Sequence, residues 1–261
     1  LIIRILLAIR GVVLIHSSPL SCRIIGEILS DFYHINLLCQ EKLLNSHYNN
    51  KNIMAEYIEK YFSELSDIQK SQYDRMIELY PEWNQKINVV SRKDIDNIEI
   101  NHLLHSLSIA KFIQFKPGSR ILDFGCGGGL PGIPLAAMFP ECHFHLIDRI
   151  GKKLLVASSI AESVGLTNVS FQHGDIAECK EKFDFVVSRA VMTLPDLIKL
   201  SKKNIAGQQR NSLPNGVITL KGGDIDAEIA NYKDVSMIED ISNYFEEPFF
   251  ETKKITYTQI R

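Results

Sequence analysis

The stretch that decides the fold runs from Arg120 to Asp148 and reads RILDFGCGGGLPGIPLAAMFPECHFHLID. A short apolar run ends in an acid at Asp123, and glycines follow at Gly125, Gly127, Gly128 and Gly129. An apolar segment of helical length comes next, then a second apolar run closed by Asp148. That order predicts strand, tight glycine loop, helix and strand, the βαβ unit that holds an adenine nucleoside at its strand ends. Gly125 can take the positive φ of a sharp exit from a strand, and Gly127 has no Cβ to obstruct a ligand. Pro131 and Pro134 stand near the expected helix start, where a missing N–H costs little and a fixed φ helps. Asp148 lies 23 residues beyond Gly125, where a carboxylate can accept hydrogen bonds from both ribose hydroxyls.

The acids also bear on which nucleoside is bound. A dinucleotide fold seats a pyrophosphate on the loop and the helix N-terminus. An anion at Asp123, immediately before the loop, would repel a phosphate and favour a cationic ligand. S-adenosylmethionine is such a ligand, with a sulfonium and an amino group. Asp175, in HGDIAE, follows another strand-like run at 169–172, where it can accept from the adenine amino group. The expected cofactor is therefore S-adenosylmethionine, and a nicotinamide-dependent reductase is the outsider.

The 261 residues are 45% hydrophobic and 23% charged, ordinary values for a globular protein. The net charge of -2 means that any RNA must be gripped by a local basic patch rather than by the molecule as a whole. Five cysteines (Cys22, Cys39, Cys126, Cys142 and Cys179) show no C-x-x-C spacing, so neither a zinc site nor a disulfide framework is indicated. A reduced, cytoplasmic setting is the simplest expectation. Residues 1–53 read differently: LIIRILLAIRGVVLI is too short and too interrupted by Arg4 and Arg10 for a membrane helix. They are expected to be a non-native or disordered upstream extension, with a targeting segment as the alternative. No membrane association is expected.

Helical spacing recurs after Ala55, through Ile58, Tyr61, Phe62 and Leu65 and then Tyr73, Met76, Ile77 and Tyr80. Ser66 is a candidate N-cap, and Pro81 is expected to kink or end the second helix. Asp94 should start a further short helix, and residues 101–112 an amphipathic one. Trp83 and the tyrosines read as core. A turn at 116–119 then gives way to alternating strand and helix patterns, as a mostly parallel sheet requires. Strands are expected at 120–124, 143–147, 169–172, 183–188 and 216–221, with a late pair at 238–245 and 253–258. Gly165 signals the end of a helix over 152–164. The expected organisation is thus an extension over 1–53, a helical segment over 54–115 and a cofactor-binding α/β domain over 116–261.

Taken together, LDFGCGGGLPGIPLA, HLIDRIGKK, FDFVVSRAV and LKGG resemble the small-subunit ribosomal RNA methyltransferase G family, also called glucose-inhibited division protein B. The upstream segment YPEWNQKINVVSRKDIDNIEINHLLHSL resembles its helical N-terminal part, notably at Trp83-Asn84 and Ile87-Asn88, and EPFFETKK extends the likeness to the end. The resemblance implies a Rossmann-like class I methyltransferase, a mostly parallel sheet with a terminal antiparallel hairpin and N-terminal helices. It implies transfer of a methyl group from S-adenosylmethionine to the 7-position nitrogen of a guanine in 16S rRNA. It further implies that Gly125, Leu130, Ile176, Ala177 and Arg189 line the cofactor site. Relatives end in Ala-Glu at Ile176-Ala177, which leaves Glu178 as an alternative. His105 stands where relatives often carry Asp and reads as a structural helix residue.

Guanine N7 presents a ring lone pair without a proton, so no general base is needed to start the reaction. Holding nucleophile and methyl group in line suffices. SRAVM after the fourth strand lacks the Asn/Asp-Pro-Pro-aromatic pattern expected for an exocyclic amine, and Cys126 lies in the cofactor loop rather than where a nucleophile would act. Arg189 is the main polar and catalytic candidate at that strand end, and the resemblance implies that it meets the cofactor region and orients the base. Lys152 and Lys153 fall in the first turn of a helix, where the dipole disfavours cations by roughly 0.3–1 kcal/mol each, which hints at a phosphate partner. With Arg149 they form the candidate RNA contact, and Arg92, Lys93, Lys221, Lys202 and Lys203 could extend it. The expected partner is 16S rRNA within the small ribosomal subunit or its precursor, met by a monomer. The rivals are methylation of a protein or small molecule, and a ribosome-assembly factor that binds the cofactor without turnover.

Overall fold

The computed structural model describes residues 55–260. The expected extension over 1–53, with Cys22 and Cys39, lies outside the described residues. Among the described residues seven strands form one sheet in the order β3-β2-β1-β4-β5-β7-β6. They are β1 Arg120–Phe124, β2 His143–Asp148, β3 Val169–His173, β4 Phe185–Arg189, β5 Gly216–Gly222, β6 Ser236–Asp240 and β7 Lys253–Gln259. The first five pair in parallel, while β7 runs antiparallel to both β5 and β6. This is the expected Rossmann-like sheet with its terminal antiparallel pair. Chain order reverses between β1 and β4, and in such sheets the ligand crevice opens at the C-terminal strand ends of that switch point.

Burial explains why these segments became strands. Ile121, Leu122, Asp123 and Phe124 are all buried, as are Phe185 to Ser188, because central parallel strands are covered on both faces. Edge strands β3 and β6 are only partly covered. Alternation sends Ile121 and Phe144 to one core and Leu122 and Val186 to the other.

The first core is shared with the N-terminal helices α1 Glu56–Tyr61, α2 Asp67–Lys86 and α3 His105–Phe112, the last preceded by a π-helical turn at Glu99–Leu104. Tyr73, Met76 and Tyr80 of α2 are fully buried there. Each large side chain so removed from water contributes about 1.5–3 kcal/mol. Ser66 caps α2 through a capping box with Gln69. The crossover helices are α4 Gly132–Met138, α5 Gly151–Ser163 and α6 Leu194–Ser201, and a short α7 Asp226–Ile229 follows β5. Gly165, at φ +71, lets its own N–H and that of Leu166 return to carbonyls of the last turn of α5.

Three expectations are corrected. Pro81 does not end helix α2, which runs on to Lys86 through this one residue that has no N–H to donate. Burial of Tyr73, Met76, Leu79 and Tyr80 outweighs that loss. The strand expected over 238–245 ends at Asp240, because the backbone there bonds to itself: Tyr244 N and Phe245 N both donate to Ile241 O, at 2.9 and 3.2 Å, and the resulting turn at Ile241–Asn243 buries Ile241 and Phe245. The strand expected from 183 begins at Phe185. Asp184 instead accepts from Arg120 N at 2.8 Å and ties the start of β4 to β1.

Candidate functional site

A cavity of about 660 Å³ opens at the switch point, within the range of small-molecule sites. Gly125, Gly127, Leu130, Asp148, Asp175, Ile176 and Arg189 line it, together with Arg149 and Lys153. Residues from the ends of four neighbouring strands thus converge on one space.

Its base is the glycine loop. Gly125, at φ +70, leaves β1 and donates to Ile147 O at 3.0 Å, and Cys126 N bonds the same carbonyl. Gly127, at φ +53, donates to Asp148 Oδ2 at 2.8 Å, and Ile150 N donates to Asp148 Oδ1 at 2.7 Å. One carboxylate therefore joins the loop after β1 to the turn after β2, with both oxygens held in place and lone pairs left over. A Cβ on Gly127 would meet nothing closer than Lys153 Cδ at 4.0 Å. The loop stays open on its cavity side.

Asp123 is placed differently from the expectation. It is fully buried beneath the loop and does not line the cavity. Its Oδ2 accepts from Gly132 N at 2.7 Å, which pins the start of α4, and its Oδ1 has no partner among the described residues. Desolvation pushes its pKa up to about 7, against the pull of the Gly132 bond and of Arg189. The negative groups that do face the cavity are Asp148 and Asp175. Arg189, at the end of β4, lines the cavity, and desolvation lowers its pKa to about 10 while Tyr80 and Asp123 oppose the shift. No carboxylate lies within ion-pair distance of Arg189 among the described residues.

Asp175 caps a 3-10 turn, accepting from Ala177 N at 2.8 Å, and Arg149 approaches it at 3.7 Å. Ile176 reaches the cavity, whereas Ala177 does not and offers its carbonyl to Lys203 Nζ at 2.8 Å. Glu178 completes the capping box and is likewise off the cavity. The three basic candidates separate: Arg149 and Lys153 are on the cavity wall, while Lys152 is an exposed residue outside it. Lys221, a proposed extension of the basic patch, is half-buried and engaged by Met192 and Glu228. His105 is buried edge-on against Phe249 at 5.5 Å, and desolvation, with help from Arg189, pulls its pKa well down, as a structural role requires.

Of the apolar part of the wall, the sequence pointed only to Leu130 and Ile176. Val89, Ile150, Val191, Met192 and Leu200 all line the cavity. Ile150, Leu200 and Val191 are 43%, 40% and 38% exposed, an apolar rim suited to the faces of a flat ring. Among the rest only Ile150 carries a signal, two residues after the acid of β2. Val89 arrives from the helical segment: Asn84 Oδ1 accepts from Val89 N at 2.8 Å and Val90 N at 2.9 Å, which sets Val89 against Gly128. A Cβ on Gly128 would lie 2.7 Å from that of Val89.

No cluster of metal ligands exists among the described residues, and none of their helices is long and apolar enough to cross a membrane. A second cavity of about 150 Å³ between Arg120, Asp184 and Arg210 lies at the opposite strand ends, where the arginines are already paired with Glu181 and Asp184.

Residues 69–254 match the family described as rRNA small subunit methyltransferase G. A relative from Bacteroides thetaiotaomicron, named ribosomal RNA small subunit methyltransferase G, is 55% identical over 205 residues, covering 78% of this chain and all of the relative. One of the same name from Phocaeicola vulgatus is 56% identical over 205 residues and covered to 98%. A third from Christiangramia forsetii is 48% identical over 206 residues and covered to 97%.

Proposed function

The chain belongs to the rRNA small subunit methyltransferase G family, and from that premise we propose how its cavity performs the family's reaction. The enzyme transfers a methyl group from S-adenosylmethionine to the 7-position nitrogen of a guanine in 16S rRNA. The observation that carries the assignment of the site is the Asp148 carboxylate, locked by Gly127 and Ile150 at the mouth of a cavity of nucleoside size.

The residues present fit the cofactor. Asp148 keeps lone pairs for the two ribose hydroxyls, Asp175 is placed for the adenine amino group, and Ile150, Ile176 and Leu200 enclose the ring faces. Gly125, Gly127 and Leu130 leave the backbone approachable. Asp123 acts one layer down, holding α4 against the loop rather than meeting the ligand. When bound, S-adenosylmethionine supplies an electrophilic methyl group on a positively charged sulfur.

With ribose at β2 and adenine at β3, the reactive end faces β1 and β4, so the acceptor base enters beside Arg189. Arg189 has no ion-pair partner there among the described residues, and its role is to donate to the base and hold it in line. Among the described residues, none that lines the cavity is a poised general base. Asp148 and Asp175 are tied to backbone N–H groups, and burial drives the Cys126 thiol well above its ordinary pKa. A nucleophile that carries no proton, as guanine N7 does, needs none. Arg149 and Lys153 on the wall, with Lys152 outside it, are assigned to phosphates of the incoming RNA.

We assign the substrate to the small ribosomal subunit or its precursor, acted on by a monomer in the cytoplasm. The test is transfer of tritiated methyl to subunits from cells lacking the protein. Label in 16S rRNA, released as 7-methylguanine, is the expected result; label in protein, or none, overturns the reading. Reversing Lys152, which lies outside the cavity, to Glu should weaken RNA binding at low salt and leave cofactor affinity alone.

A further inference from the structure

The turn that follows Arg189 is held from outside. Ala190 takes φ +54, a left-handed conformation that a residue with a Cβ adopts only when its surroundings impose it. Ala190, Val191 and Met192 then line the cavity on the side opposite Asp175. Three hydrogen bonds impose their course. Lys221 Nζ donates to Met192 O at 2.7 Å and pairs with Glu228 Oε2 at 2.8 Å. The same Glu228 oxygen accepts from Leu194 N at 2.8 Å, two residues further on. Lys221 follows Leu220, the strand partner of Arg189, so the latch stands beside the last residue of β4. Its members are largely shielded, the Lys221 side chain being 12% exposed. Desolvation works against the charge on Glu228, yet the bonds from Lys221 and Leu194 win and hold its pKa down.

We propose that Lys221 and Glu228 form a latch that positions the 190–194 segment as the acceptor-side wall of the site. It rests on the reading above in placing the target guanine there. Both are positioning residues: neither touches the reacting atoms, and each acts through Ala190, Val191 and Met192. Lys221 thereby leaves the set of RNA-phosphate candidates.

The experiment compares Lys221→Met, Lys221→Arg, Glu228→Gln and the double variant Lys221→Met with Glu228→Gln in the full chain. Methyl transfer to undermethylated small subunits, titration with S-adenosylhomocysteine and site-resolved amide exchange are measured. Lys221→Met should lower kcat about tenfold or more while cofactor Kd stays within about threefold. Lys221→Arg should recover most of the loss, and the double variant should be no slower than Lys221→Met, because both changes open one latch. Exchange at Met192 and Leu194 should rise at least about tenfold, and that at Gly127 should hold. A kcat within twofold of the parent, or a cofactor Kd that weakens in step with kcat, overturns the proposal. So does a rise in KM alone with a salt slope reduced by about one, which would put Lys221 on a phosphate. If the parent protein labels no RNA, the functional reading falls, and the exchange pattern still decides the latch.

Discussion

Two strands of this sheet end at the cavity by turning left-handed, and they do it by opposite means. After β1 the turn is made by Gly125 at φ +70, and three more glycines follow, two of them also at positive φ. After β4 the turn is made by Ala190 at φ +54, with no glycine near it in the chain. The first turn stores its freedom in its own composition. The second borrows its geometry from Lys221 and Glu228, which lie about thirty residues away along the chain. The two turns also touch, since a Cβ on Gly125 would lie 2.7 Å from Val191 Cγ2. A site can therefore be built from one intrinsically permissive loop and one that is imposed, provided they meet.

Five substitutions, one of them added to another, would break or sharpen that contrast. The largest effect belongs to Gly129→Ala. The residue sits at φ +94, and a Cβ there would come within 2.4 Å of Ile133 Cγ1 and 3.1 Å of Ala157 Cβ. Denaturant unfolding should register a loss of roughly 2–4 kcal/mol together with loss of cofactor binding. Gly125→Ala should cost about 2 kcal/mol. Adding Val191→Ala should return about half of it, removing the overlap and leaving the backbone strain. No recovery in the double variant would mean that the turns do not lean on each other.

Asp123→Asn should reshape the dependence of stability on pH. Its carboxyl titrates near 7 in the folded protein against an ordinary value of 3.8. Below that ordinary value both states are protonated and the folded protein keeps its full stability. As pH rises towards 7 the unfolded chain releases the proton that the folded one retains, so stability falls until the folded pKa is passed. The asparagine variant has no such window and should gain on the parent by more than about 1 kcal/mol between pH 4 and 7.5. Parallel profiles would overturn this. The smallest effect is expected of Ala190→Gly, which relieves the left-handed strain but loosens the unfolded chain. Stability should change by no more than about 1 kcal/mol, and a larger loss would show that the alanine methyl group itself is needed.

The same contrast explains what the sequence disclosed. Local signals gave strand β1 with its ends at Arg120 and Phe124, the acids Asp148 and Asp175, and the N-cap at Ser66. Each is a feature whose cause lies within a few residues. What stayed hidden depended on contacts remote in the chain. Val89 reaches the cavity only because Asn84 ties down its segment, and Met192 only because Lys221 holds its carbonyl. Pro81 and the segment after Asp240 misled because burial, not propensity, decided them. Asp123 was read as a charge facing the ligand, but whether an acid at a strand end points into the cavity or beneath it is set by the next helix, here through Gly132.

The hydroxyls of Tyr73 and Tyr80 donate to Pro134 O at 3.0 Å and Gly128 O at 3.1 Å. One helix thereby acts as a splint for the catalytic core, fastened by two pegs to the most pliable part of the chain. The glycines that make room for a nucleoside would also leave that stretch floppy, and a phenol at each end restores stiffness without filling the room. Trimming the α-helical front would not free a smaller working enzyme; it would leave a socket with no backing.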